Sequence, residues 1–211
     1  TDFPAIIALG QTWNKELVKK VGKVIGTENL NTCDFLDTIS NFNAVTCTAM
    51  QDLRVNPLSG RYDEGFGVDG TLVSEMVDAM ATGASGIEEE ENEDGFWTKC
   101  IVTTKHYTDY AGQQFRRSAN IANSLRSVME QQAKNIKKGI SDGSGSGFMT
   151  SYGRTAGIPN SLSPLVQWIQ SFAPWGEDGG NYVVTDYSSD WQLYSENSMG
   201  NGYDNSYVPT Y

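Results

Sequence analysis

Four short apolar, β-branched runs punctuate the chain at 44–50 (AVTCTAM), 100–104 (CIVTT), 147–151 (GFMTS) and 182–185 (YVVT), and longer stretches of helical length or period separate them. Runs this short and this continuously apolar suit strands covered on both faces, and the intervening helices supply the crossovers that parallel pairing needs. The alternation therefore predicts an α/β fold built from βα units around a parallel sheet.

The helical stretches are 14–25, 72–81, 119–138 and 163–172. Asn14 suits an N-cap, followed by an apolar stripe of Leu17, Val18, Val21, Val24 and Ile25. Ser163-Pro164 reads as a cap followed by proline at the first helical position. The stripe Ile121, Leu125, Val128 and Met129 is expected to pack into the core. From residue 195 to 211 the chain is rich in Asn, Gly, Ser and Tyr without periodicity, and is expected to be loop.

At 211 residues the chain suits one substantial domain. A formal charge of −11 argues against nucleic acid as a partner, because phosphate affinity comes from clustered Lys and Arg. Part of that charge is the run at 88–94 (EEEENED), which reads as a solvated loop. Cys33, Cys47 and Cys100 form neither a metal-ligand cluster nor an even disulfide set, so buried thiols are expected and no metal is implied. No run reaches the roughly 18–20 apolar residues of a membrane span. TDFPAIIALGQTW has no basic n-region, so no signal peptide is visible and the compartment stays open.

In parallel βα architectures, ligands sit beyond the carboxyl ends of the strands, where loops from several strands converge. The polar residues that follow each run are therefore the candidates: Arg61 and Glu64 after the first, Lys105 and His106 after the second, Tyr152 and Arg154 after the third, Asp186 and Asp190 after the fourth. Taken one at a time, each has a plain structural reading: an ion-pair partner for Arg61, a satisfied side chain for His106, a cap or turn for Asp186. Lys105 also has a chemical alternative, a Schiff-base amine whose pKa a strand-end pocket would depress.

The segments FPAIIALGQTWN, NPLSGRYDEGFGVD, TTKHY, MTSYGRTAGIPNS and VVTDYSSD together resemble glycoside hydrolase family 3, the β-glucosidase-like retaining enzymes. FPAIIALGQTWN is similar to the family's FPA-x-x-x-L-x-x-TW-(D/N) segment, and VGKVIG to the helix pattern that follows it. NPLSGRYDEGFGVD resembles its NP-x-x-GR-x-x-E-x-(F/Y) stretch, TTKHY its KHF motif, MTSYGRTAGIPNS its M-x-x-YN segment, and VVTDYSSD its VVSDW nucleophile strand. They occur in the family's order. The resemblance implies a TIM-type (β/α) barrel domain over 1–194, without its first strand or the α/β sandwich domain that follows it, with 195–211 leading toward the missing C-terminal part.

By the same resemblance Asp186 matches the catalytic nucleophile. Arg61, Lys105 and His106 match residues that hydrogen-bond sugar hydroxyls, and Tyr152 matches a tyrosine near the nucleophile. Tyr187, in place of tryptophan, keeps an aromatic platform for a sugar face. Tyr107, Tyr110 and Trp191 are further candidates for stacking. A retaining glycosidase needs one ionised carboxylate to attack the anomeric carbon and a second carboxyl roughly 5 Å away as acid/base. Glu64, Asp109, Asp190 and Glu196 are available, and no motif nominates one. A missing domain or partner chain is the expected source. The implied function is a retaining β-glycosidase for β-linked glucosyl or related residues, with carbohydrate as partner and no cofactor. The alternative is a catalytically silent carbohydrate-binding or structural module on the same barrel.

Overall fold

The computed structural model describes residues 1–32, 46–89, 97–107, 110, 113, 116, 120–142, 145–171 and 182–186. Helices α1 (Ile6–Gly10) and α2 (Lys15–Thr32) come first, then strand β1 (Thr46–Met50), helix α3 (Gly70–Ser85) and strand β2 (Ile101–Tyr107). After the two-residue strand β3 (Asn120–Ile121), α4 (Leu125–Ser127), a π-helical turn (Val128–Gln132) and α5 (Ala133–Ser141) run on continuously. Then come β4 (Gly147–Thr150), the short strands β5 (Arg154–Thr155) and β6 (Ile158–Pro159), α6 (Leu165–Gln170) and β7 (Tyr182–Thr185).

The four predicted strands are the four members of one all-parallel sheet in the order β1-β2-β4-β7. Among the described residues the sheet is open, and closure into a barrel is not seen. A separate small sheet pairs β3 with β5 in parallel and β5 with β6 antiparallel.

Local chemistry explains the helix ends. Asn14 Oδ1 accepts from the Leu17 N–H at 2.9 Å, the cap its position suggests. Asp69 caps α3 by accepting from the N–H groups of Thr71 and Leu72 at 2.9 and 2.8 Å. The helix stops at Gly86, whose φ of 70° and N–H bond to the Thr82 carbonyl make a left-handed C-cap. Ser163 Oγ accepts from the Leu165 N–H at 3.3 Å ahead of α6.

One core cluster joins α2 and α3 to the sheet through Val18, Val73, Met76, Val77 and Val102. Cys100 is a buried thiol in this cluster, as expected, with Sγ donating to the Ala84 carbonyl at 3.2 Å; the side chains of Cys33 and Cys47 lie outside the described residues. A second cluster packs α5 and α6 against Tyr107 and Phe148 through Ile136, Ile140 and Ile169. The two sets of helices hold the strand ends at one level.

Several expectations need correction. The 119–138 stretch is not one helix: Asn120–Ile121 is extended, and helix begins at Leu125, capped by Ser124. Leu125 is 63% exposed rather than core, whereas Val128 from the same stripe is buried. In α2, Val18 is fully buried, while Leu17 and Val24 are exposed because the helix offers the core a narrower face than its full stripe. Tyr107 lies inside β2, fully buried against Phe148 at a ring separation of 5.5 Å, so it is core and not a sugar platform. Glu89 is not merely solvated: its carboxylate accepts from Lys99 Nζ at 2.7 Å and pairs with Lys23 at 3.2 Å. Residues 90–94 of the acidic run, and 195–211, lie outside the described residues.

Candidate active site

Parallel registry aligns the strand ends. Met50 of β1 sits opposite Lys105 of β2, Lys105 opposite Met149 of β4, and Thr150 opposite Thr185 of β7. The backbone ladder continues one step further, with Gln51 N–H donating to the Lys105 carbonyl at 2.7 Å and Asp186 N–H donating to the Thr150 carbonyl at 3.1 Å. Asp52, Lys105, His106 and Asp186 therefore emerge together at the carboxyl edge of the sheet, where βα folds place ligands.

Lys105 and His106 belong to β2 itself rather than to the loop after it. The β2–β4 register slips between Lys105 and Tyr107, leaving His106 as a bulged residue, and the Lys105–His106 peptide is cis. A bulge re-aims the side chain at its apex. Here the His106 ring reaches across the sheet edge, with Nε2 3.4 Å from Asp186 Oδ2. Its other face of contact is Asp52: Oδ2 lies 2.7 Å from Nδ1, and Oδ1 accepts the His106 backbone N–H at 3.2 Å. Tyr110 stacks on the ring at a centroid separation of 4.6 Å.

The remaining predicted residues surround this centre. The Arg61 guanidinium lies 5.1 Å from the centre of the Tyr110 ring, and Arg61 Nε donates to Glu64 Oε1 at 2.6 Å. Arg116 Nη1 donates to the Tyr110 hydroxyl at 2.7 Å, and its guanidinium sits 4.7 Å from the centre of the buried Tyr152 ring. Tyr110 and Arg116 thus link Arg61, His106 and Tyr152 into one contact chain. Tyr187, Asp190 and Trp191, like Asp109 and Glu196, lie outside the described residues. Arg154 instead belongs to the small sheet, paired with Asn120 and Pro159.

Mixed charges set the electrostatics. Burial pushes the Lys105 amine below its ordinary value, the nearby Arg61 adds to this, and Glu64, Asp186 and Asp52 oppose it without prevailing. Burial alone would raise Asp52, but His106 and Arg54 outweigh it and hold the carboxyl below its ordinary range. Glu64 behaves likewise: burial raises it, and Arg61, Lys105 and Arg54 together bring it down. The Arg61 charge is reinforced in turn by its Glu64 hydrogen bond.

Three members of the site were not singled out from sequence. Asp52 directly follows the first apolar run, so its position was a signal that the more distant Arg61 and Glu64 overshadowed. Arg54 lies two residues on, with its guanidinium 1% exposed and 3.6 Å from Asp52. Arg116 had only the Arg-Arg pair after KHY to mark it. Beside the centre is a cavity of about 180 Å³, whose lining includes Asp52, Asn56, Ser59, Tyr110 and Gln131. Among the described residues no group of three or more His, Cys, Asp or Glu side chains is arranged to hold a metal ion. None of the described helices is long and apolar enough to cross a membrane.

Comparison with known proteins places this chain in a family. Residues 1–189 match the model of the glycosyl hydrolase family 3 N terminal domain. Beta-D-xylosidase 3 of Arabidopsis thaliana is 26% identical over 195 residues, and probable beta-glucosidase E of Emericella nidulans is 32% identical over 117. These alignments cover 90% and 56% of this chain but only 24% and 10% of the relatives, so the chain spans about a quarter or less of their length. A family 3 exo-beta-xylosidase, XlnD, solved with a xylobiose aziridine probe, superposes with a TM-score of 0.76 at 21% identity, covering 92% of this chain and 25% of that one. Beta-glucosidase 3B from Thermotoga neapolitana, solved with α-D-glucose, gives 0.69 at 21%, covering 89% and 23%. At such identities the superpositions speak for the fold, while the family match covers nearly the whole chain. The chain belongs to glycosyl hydrolase family 3, with residues 1–189 matching its N-terminal domain.

Proposed function

We propose that this chain is the nucleophile-bearing part of a retaining β-glycosidase that acts on terminal β-linked glucosyl or xylosyl residues. The observation that carries the reading is the Asp186 carboxylate at the end of β7, 3.4 Å from His106 Nε2 and beside Lys105. Asp186 attacks the anomeric carbon, the bond to the aglycone oxygen breaks, and a glycosyl ester forms that water later hydrolyses. Arg61, Lys105 and His106 hold the sugar hydroxyls, and Tyr152 helps shape the pocket through Arg116. The glucosyl or xylosyl preference follows from relatives described as β-glucosidases and β-xylosidases.

The general acid is a separate matter. It must hold a proton near neutral pH, which requires a raised pKa. Asp52 and Glu64 are both lowered, and each is engaged, with His106 and Arg61 respectively. Neither suits the role. The acid/base then comes from outside the described residues, either elsewhere in this chain or from a further domain or partner chain.

This division predicts a specific kinetic behaviour. A 2,4-dinitrophenyl β-glycoside needs no acid to expel its leaving group, so the chain should release a burst of about one equivalent of dinitrophenolate, followed by slow turnover. Asp186→Ala should abolish the burst. A folded chain that binds the sugar and shows no burst would favour the silent carbohydrate-binding module instead.

A further inference from the structure

We propose that Asp52 is a positioning residue that holds His106 as its Nδ1–H tautomer, so that Nε2 faces Asp186 as an acceptor and not as a donor. The inference rests on the glycosidase reading only for the use to which Nε2 is put.

Both oxygens of Asp52 are committed to one residue. Oδ1 takes the His106 backbone N–H at 3.2 Å, and Oδ2 lies 2.7 Å from Nδ1. An ionised carboxylate can only accept, so the short contact requires the hydrogen to be on Nδ1. Asp52 is 3% exposed, and against that burial Arg54 Nη2, 3.6 Å from the same Oδ2, and the His106 backbone N–H favour the ionised form. The ring has little freedom to turn away. It is buried and covered by Tyr110, and rotating it by half a turn would exchange Nδ1 for a carbon and leave a buried carboxylate oxygen facing a C–H.

The consequence appears on the other side of the ring. Nε2 stands 3.4 Å from Asp186 Oδ2, beyond the 2.7–3.2 Å range common for an N–H···O hydrogen bond. With its proton on Nδ1, the imidazole gives Oδ2 no donor, so His106 does not restrain the carboxylate oxygen as it approaches an anomeric carbon. The Nε2 lone pair instead accepts from a sugar hydroxyl. The opposite tautomer would donate to Asp186, weaken the nucleophile and reject that hydroxyl proton. A carboxylate that selects the tautomer of a neighbouring histidine acts on the chemistry without touching the substrate.

His106 is the only histidine in the chain, so its ring nitrogens can be read without assignment. Long-range 1H–15N correlation spectra of the 15N-labelled chain at pH 7.5 should show a proton on Nδ1 and none on Nε2. A neutral Nε2–H ring, or a ring protonated on both nitrogens, would overturn the proposal. Asp52→Asn adds a second arm. The asparagine carbonyl must satisfy the His106 backbone N–H, which turns its NH2 toward Nδ1 and should switch the ring to Nε2–H. The dinitrophenolate burst should then slow about 10- to 100-fold. An unchanged tautomer in the folded variant would also overturn the proposal, and should the variant not fold, the wild-type spectrum decides alone. An Nδ1–H ring in a chain with no burst supports this assignment and counts against the glycosidase reading, so the two fail separately.

Discussion

Asp52 carries a consequence for stability as well as for tautomer choice. Its carboxyl ionises more readily in the folded chain than in the unfolded one, where the value is about 4. A depressed folded pKa contributes stability that is fully present above that unfolded value and is lost as the pH falls through the folded one. Urea midpoints measured from pH 6 down to pH 3 should therefore fall steeply for the wild type and less steeply for Asp52→Asn, which has no proton to take up. Parallel slopes would show that the carboxylate is not held as described. At this scale the sequence revealed part of the centre. Lys105, His106 and Asp186 stand at or next to strand ends, where position alone marks them. Arg116 lies 11 residues beyond Lys105 along the chain, and only folding brings it to the Tyr110 hydroxyl and the Tyr152 ring.

Elements were legible where local pattern and packing agree. All four apolar runs became strands of one sheet, and helices read from the same alternation pack against β2, β4 and β7. The 119–138 stretch misled because apolar spacing alone cannot show that Asn120 and Ile121 pair with Arg154 and Thr155, a contact made 34 residues away. Nor did it show the contact between α2 and α3, which depends on glycines with no side chain to count. A Cβ at Gly83 would stand 2.1 Å from the Lys19 carbonyl oxygen, and one at Gly22 would stand 2.4 Å from that of Met80. Alanine at Gly83 gains up to about 1 kcal/mol in helix propensity. It must also push two backbones apart, and overpacking of this kind costs about 1–3 kcal/mol. Gly83→Ala should accordingly lower the urea midpoint without changing the slope of the transition; a raised midpoint would mean that the helices separate easily.

At the scale of the whole molecule, the family barrel is represented by an open four-stranded sheet, and the chain spans about a quarter of the relatives that match most of its length. In the proposed reading the nucleophile and the cations for sugar hydroxyls stand at the sheet edge, while the acid/base comes from outside the described residues. Glycosylation and acid catalysis should then be separable, the first held by the described site and the second supplied from outside it. The direct test is peptide mass spectrometry after incubation with a 2-deoxy-2-fluoro-β-glucoside or -xyloside bearing a good leaving group, which traps the ester because the fluorine slows its hydrolysis. One glycosyl adduct is expected on the peptide containing Asp186, absent from Asp186→Ala. A folded chain that stays unmodified, or carries its adduct on another residue, would show that Asp186 is not the nucleophile.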